Sequence, residues 1–218
     1  MNIQTVYGPI LRHFRRSRLP KFYATHKITK DSRVLDIGGT PSIWELAGSM
    51  GYPVPRVTLL NPDKPSTLPA WATWIDADAR AIPFAAGSFD LAFSNSVIEH
   101  LGTLENQAAM AREVSRVARA YWVQTPDIRF PFEPHYLAPF VHWVPRRYRH
   151  FASRLTPWAM IVRPTSAEIR DRVKEIRLLS VMEMRALFPD ASLITERFLG
   201  WPKSLVVSRG DDGRHGDT

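Results

Sequence analysis

Residues 34–46 read VLDIGGTPSIWEL: an aliphatic run, an acid, two glycines, a proline, then apolar residues at helical spacing. That order is the sequence form of a buried parallel strand, a tight turn and a helix, the opening of a βαβ unit. In open α/β sheets ligands bind in the crevice beyond the carboxyl ends of the strands, so this turn is the first place to look for a site. Gly38 and Gly39 permit close backbone approach and positive φ. Asp36 either accepts hydrogen bonds from a ligand or organises the loop.

Working outward, the pattern predicts further strands at Arg56–Leu60, Thr73–Asp76, Leu91–Asn95 and Ala120–Gln124, with helices at Ile43–Met50 and Glu105–Val117. These make five strand-to-helix steps. Residues 125–178 are rich in proline, arginine and aromatics and too long for an ordinary connection, which predicts a functional insertion acting as a cap. A helix at Val181–Phe188 and two strands, Ser192–Phe198 and Ser204–Ser208, separated by Gly200 and Pro202, end the domain in a hairpin. Upstream, residues 1–30 form a basic amphipathic helical segment, with Val6, Ile10, Leu11 and Phe14 at helical spacing and Pro20 as an interruption. The tail at 210–218, GDDGRHGDT, has no apolar anchor and is expected to be disordered. The domain proper is expected to span 31–209.

The chain has 218 residues, 44% of them hydrophobic and 23% charged, which suits one packed domain. Having no cysteine excludes disulfides, thiolate metal sites and cysteine nucleophiles. The first residues lack the basic-then-apolar order of a secretory signal and no run approaches membrane-spanning length, so the expectation is a cytoplasmic protein. A net charge of +8 favours a polyanionic partner: an acidic membrane surface, a phosphorylated substrate or nucleic acid.

Residues 76–101, DADARAIPFAAGSFDLAFSNSVIEHL, carry an acid after the third strand, an IPF…GSFD run, a fourth strand and an EHL turn, in that order. Together with DIGG at the first strand they resemble the class I S-adenosylmethionine-dependent methyltransferases over Val34–Gln124. The resemblance implies a Rossmann-like α/β sheet of seven strands with the last antiparallel, and S-adenosyl-L-methionine as cofactor. Asp36, Gly38 and Gly39 would then line its amino-acid moiety, Asn61 its ribose, Asp78 and Ala79 its adenine, with Asn95 and Ser96 closing the pocket. Two departures stand out. Thr40 and Ser42, with Pro41 between them, replace the later glycines of the usual loop, and Asn61 stands where an acid is usual. Asp90 of the GSFD run reads as structural.

A sulfonium cofactor carries its own activated methyl group, so the protein mainly aligns the acceptor and excludes water; a hydroxyl acceptor also benefits from a general base. His100, in the turn after the fourth strand, is one candidate. The other is His135, in TPDIRFPFEPHYLAPFVHWVP at 125–145, where Glu133, Tyr136 and His142 lie among prolines and aromatics. That stretch resembles bacterial methyltransferases of saccharide or glycolipid-like acceptors. Arg146, Arg147, Arg149 and Arg154, interleaved with Tyr148, Phe151 and Trp158, suit an anionic bilayer or a phosphate-bearing lipid carrier, and fit RNA less well for want of an RNA-binding module. No histidine and carboxylate spacing points to a metal. The expected function is O-methylation of a small, saccharide or lipid-linked acceptor. The alternatives are an RNA methyltransferase and a non-catalytic scaffold that keeps the fold.

Overall fold

The computed structural model of the chain describes residues 3–210. Its sheet runs β3-β2-β1-β4-β5-β9-β8, built from β1 (Arg33–Ile37), β2 (Arg56–Leu60), β3 (Ala72–Ile75), β4 (Phe89–Asn95), β5 (Ala118–Pro126), β8 (Ser192–Phe198) and β9 (Trp201–Arg209). The strands β1 to β5 pair in parallel, while β9 runs antiparallel to both β5 and β8. This is the Rossmann-like class I methyltransferase sheet, its last strand antiparallel. The order reverses between β1 and β4, which opens a crevice at their carboxyl ends.

Both faces of the sheet are buried, which is why its strands read as nearly continuous apolar runs. Leu35, Ile37, Ala92 and Val123 face α3 (Leu104–Val117) and α7 (Val181–Leu187), packing on Met110, Val114 and Met184. On the other face Val34, Leu59, Phe93 and Trp122 pack on Leu19 and Phe22 of α1 (Ile3–Thr25) and on Trp44 and Ala47 of α2 (Ser42–Ser49).

The structure corrects two expectations. The first helix continues through Pro20 instead of breaking there; the lost backbone bond is outweighed by Leu19 and Phe22, both fully buried against the sheet on either side of it. Two of the five strand-to-helix steps have no helix, since 61–71 and 76–88 are loops punctuated by Pro62, Pro65, Pro69 and Pro83. The tail expected to be disordered lies, from residue 211 on, outside the described residues.

The cap leaves and rejoins the sheet at one point, where Asp127 bridges Leu179. Between them lie a two-stranded ribbon, β6 (Phe132–Glu133) with β7 (Ala138–Pro139), and the helices α4 (Arg146–Arg154), α5 (Pro157–Val162) and α6 (Ser166–Glu175). A core of its own, with Tyr136, Val141, Trp158, Ile169 and Val173, holds these pieces together. Thr165 and Glu168 close a capping box at the start of α6, as Ser180 and Glu183 do for α7. Among the described residues no helix is long and apolar enough to cross a membrane.

Candidate active site

The β1 turn tolerates no side chain at its two glycines. Gly38 sits at φ +69° with its N–H donating to the Leu60 carbonyl at 2.7 Å, and a Cβ there would lie 2.4 Å from Val97 Cγ2. A Cβ on Gly39 would fall 2.0 Å from the Asp36 carboxyl. Asp36 is fully buried and its Oδ2 accepts from Trp44 Nε1 at 2.8 Å. Burial raises its carboxyl to about 7, against the pull of the Trp44 bond. Asp36 therefore braces the loop from below, and the side chains that wall the crevice do not include it.

Asn61 also serves the loop: Nδ2 donates to the Gly39 carbonyl at 3.0 Å and Oδ1 accepts from the Asp63 N–H at 3.0 Å. The crevice beyond is a cavity of about 460 Å³ walled by Gly38, Leu60, Pro62, Asp78, Ala79 and His100. The Arg80 guanidinium grips Asp78 at 2.9 and 2.5 Å and holds its carboxyl below the usual range. A carboxylate has about four lone-pair positions, and Arg80 engages both oxygens of this one through its backbone N–H and guanidinium, so a ligand amine would share Asp78 with Arg80.

A second cavity, about 390 Å³, lies between α1, the ends of β4 and β5, the cap and β9. Asn95 and Ser96, expected to close the cofactor pocket, line this cavity. The reason is the short connection after β4: Ser96 takes φ 60°, its Oγ donates to Gln124 Oε1 at 3.0 Å, and Asn95 Oδ1 accepts from Arg18. Arg18 also forks onto Glu196, with both bonds at 2.7 Å. Three more cations line the walls: Arg15, Arg172 over the Trp158 ring at 4.4 Å, and Lys203 over the Phe14 ring at 3.8 Å. Burial and the neighbouring Arg18 lower Lys203 to about 8 and push Arg15 down as well. Neither has a carboxylate at salt-bridge distance among the described residues.

The two histidines join these cavities. His100, on the short helix Ile98–Leu101, lines the crevice, and His135, in the β6–β7 turn of the cap, lines the basic pocket. Their Nε2 atoms lie 3.0 Å apart. Each Nδ1 faces a carboxylate, Glu175 at 2.7 Å from His100 and Glu133 at 2.6 Å from His135. Burial opposes charge on both Glu133 and His135, but their mutual contact outweighs it, lowering the acid and raising the imidazole. Glu99 is fully buried below the pair and burial pushes its carboxyl up. His142, by contrast, bonds the Ile128 carbonyl at 3.1 Å inside the cap and takes no part. Asp90 accepts from the Arg33 N–H at 2.8 Å, a structural bond at the opposite end of the sheet.

Sequence reasoning did not find Glu175, Arg172, Lys203, Arg15 or Arg18 as site residues. Each is a common charge on an amphipathic element, and nothing local distinguishes it from a solvated one. Nor did linear spacing reveal that ligand atoms of Glu99, His100 and His135 lie within 4.8 Å of one another.

A family model for the methyltransferase domain matches residues 54–120, the stretch from β2 to β5. Over that stretch the chain is similar to methyltransferase domains, on a sheet with the fold of the class I S-adenosylmethionine-dependent methyltransferases. Three solved structures share the fold of this chain. A protein described as a methyltransferase of an antibiotic biosynthesis pathway from Anabaena variabilis is 18% identical, with a TM-score of 0.52, and the match covers 82% of this chain and 63% of that one. An S-adenosylmethionine-dependent methyltransferase from Methanosarcina mazei is 15% identical at TM-score 0.51, covering 87% and 95%. The 1,6-didemethyltoxoflavin-N1-methyltransferase of Burkholderia thailandensis, solved with S-adenosylhomocysteine, is 11% identical at TM-score 0.52, covering 90% and 76%. The chain thus spans less than two thirds of the first relative's length. No curated protein matches the sequence. The crevice fits S-adenosylmethionine: a side-chain-free turn, an apolar slot at Leu60, Pro62 and Ala79, and an acid at Asp78.

Proposed function

We propose that the chain methylates a hydroxyl oxygen of a small saccharide or lipid-linked acceptor that carries an anionic group. The observation that carries this reading is the contact between His100 and His135, because it joins the cofactor crevice to a second cavity lined by cations. When bound, S-adenosylmethionine supplies a methyl group already activated on sulfur. Gly38, Asp78 and Ala79 would hold it, with Asp36 and Asn61 keeping the loop in shape.

The chain's own task is to place the acceptor oxygen and take up its proton. Arg15, Arg172 and Lys203 offer charge to an anionic substituent, and the wall of Trp158 and Phe130 offers an apolar surface for a ring. The hydroxyl would then meet the imidazole pair, whose orientation is set by Glu133 and Glu175.

Lipid presentation is supported by the outer face of the cap. Phe151, Leu155 and Met160 are 64%, 78% and 67% exposed beside Arg147 and Arg154, an apolar strip with flanking cations of the kind that rests on an anionic bilayer. To test the reading, purified protein and methyl-labelled cofactor are incubated with lipid, soluble glycan and RNA fractions. Label is expected in the lipid or glycan fraction, with anionic-vesicle binding lost in the Phe151→Asp/Leu155→Asp variant. Label in RNA would overturn the reading in favour of an RNA methyltransferase. Cofactor binding with no transfer into any fraction would favour a scaffold.

A further inference from the structure

We propose that Glu99, His100 and His135 form a binding site for one divalent transition-metal ion between the cofactor crevice and the basic pocket.

The argument starts from hydrogen-bond accounting. His100 Nδ1 lies 2.7 Å from Glu175 Oε1, and His135 Nδ1 lies 2.6 Å from Glu133 Oε1. A carboxylate at that distance accepts, so each Nδ1 carries a proton, and a ring in that neutral tautomer presents its lone pair at Nε2. The two Nε2 atoms face each other at 3.0 Å. Two lone pairs at that separation repel unless a cation lies between them.

A shared proton is the simplest cation, but it leaves a second group unsatisfied. Glu99 is fully buried, its Oε2 accepts from Thr125 Oγ1 at 3.0 Å, and its Oε1 has no partner among the described residues. An orphaned buried carboxylate oxygen is expensive. A carboxylate oxygen of Glu99 belongs to a cluster with one ring nitrogen each of His100 and His135, and these ligand atoms all lie within 4.8 Å of one another. One divalent ion satisfies the two nitrogens and the oxygen together. A separation of 3.0 Å between nitrogens is also what two imidazoles about 2.1 Å from a common ion adopt at adjacent positions of an octahedron, shorter than the ~3.4 Å of a tetrahedral site.

The surroundings have the form of a metal site. A ligating imidazole commonly donates its other N–H to a carboxylate, which fixes its tautomer and raises its basicity, and here both do. Two imidazoles and one carboxylate select Zn²⁺, Mn²⁺ or Fe²⁺ over the hard ions Mg²⁺ and Ca²⁺, which prefer all-oxygen sites. Three protein ligands leave positions open, and a hydroxyl oxygen suits one of them. Binding of the ion stands by itself; its role rests on the acceptor proposed above. In that role the ion lowers the pKa of the hydroxyl, and with both Nε2 atoms committed to the ion the proton leaves to water, in place of uptake by the imidazole pair. The oxygen's electron pair then forms the bond to the methyl carbon as the carbon–sulfur bond breaks, its pair remaining on sulfur. The products are a methyl ether and S-adenosylhomocysteine.

The experiment uses the full chain stripped with a chelator and then titrated with Zn²⁺, Mn²⁺ and Co²⁺ alone, by calorimetry and, for Co²⁺, by visible absorption. One ion per chain is expected, with at least ~30-fold weaker binding in Glu99→Gln and in His135→Gln. Cofactor binding, measured on the same samples, should stay within ~2-fold and so report that the variants fold. Stoichiometric binding that both variants retain would place the ion elsewhere and overturn the proposal. So would the absence of binding, which would leave the shared proton. Methyl transfer to a hydroxyl acceptor at full rate in stripped protein would remove the ion's role and keep the acceptor. Ion binding at this site with label found only in RNA would keep the ion and remove the acceptor.

Discussion

The crevice takes its walls from residues 37–101, whereas the basic pocket takes its walls from positions as far apart as Phe14 and Ser204. The crevice is shaped mainly by backbone: a left-handed glycine, a second glycine pressed on a buried acid, and strand ends in register. The pocket is shaped by side chains from α1, β4, β5, the cap and β9, among them cations with no carboxylate at salt-bridge distance among the described residues. The first arrangement suits a ligand whose form never changes. The second can be re-specified by altering a few side chains, which is how one fold serves many acceptors.

The largest effect is expected where the two regions meet. His135→Ala should lower kcat by ~10² to 10⁴ while the Kd for the cofactor stays within ~2-fold, because the imidazole belongs to the acceptor side. An equal loss of cofactor affinity, read by calorimetry, would break the division. On the crevice side, Gly39→Ala should weaken cofactor binding by about 100-fold, since its Cβ would meet the Asp36 carboxyl at 2.0 Å and the loop must move. Acceptor KM, measured at saturating cofactor, should change little.

Arg172→Ala should do the reverse, raising acceptor KM by about 10-fold through a lost charge and a lost stack on Trp158, with cofactor titrations unchanged. The smallest effect concerns pH. Burial, with Arg18 close by and Glu196 opposing, lowers Lys203 to about 8, so its charge is present below that pH and lost above it. The KM for an anionic acceptor should therefore rise a few-fold between pH 7 and 9. In Lys203→Arg, a side chain charged throughout this range, the rise should vanish, as steady-state assays at the two pH values would show.

The parallel strands, the β1 turn and the late hairpin were legible in the sequence because each depends on local pattern. Aliphatic runs bounded by turns, glycines where no Cβ fits, and the IPF…GSFD…EHL order are all written within a few tens of residues. Pro20 misled because a local rule was overridden by burial of Leu19 and Phe22. Asp36 and Asn61 were found at the right turn but on its supporting side, since a strand's alternation says which face a side chain takes, not which backbone group it will bond.

What the sequence alone determined is the sheet and the turn that cradles a cofactor, both products of short-range sterics and hydrophobic periodicity. Only tertiary structure decided the chemistry at the junction. His100 and His135, each legible in its own stretch, are 35 positions apart, Glu175 and Lys203 farther still, and nothing local pairs them. They meet because the cap leaves and rejoins the sheet at Asp127 and Leu179, folding its own core over the ends of β4 and β5. Distances of 3 Å between side chains are set by that packing, and no spacing along the chain encodes them.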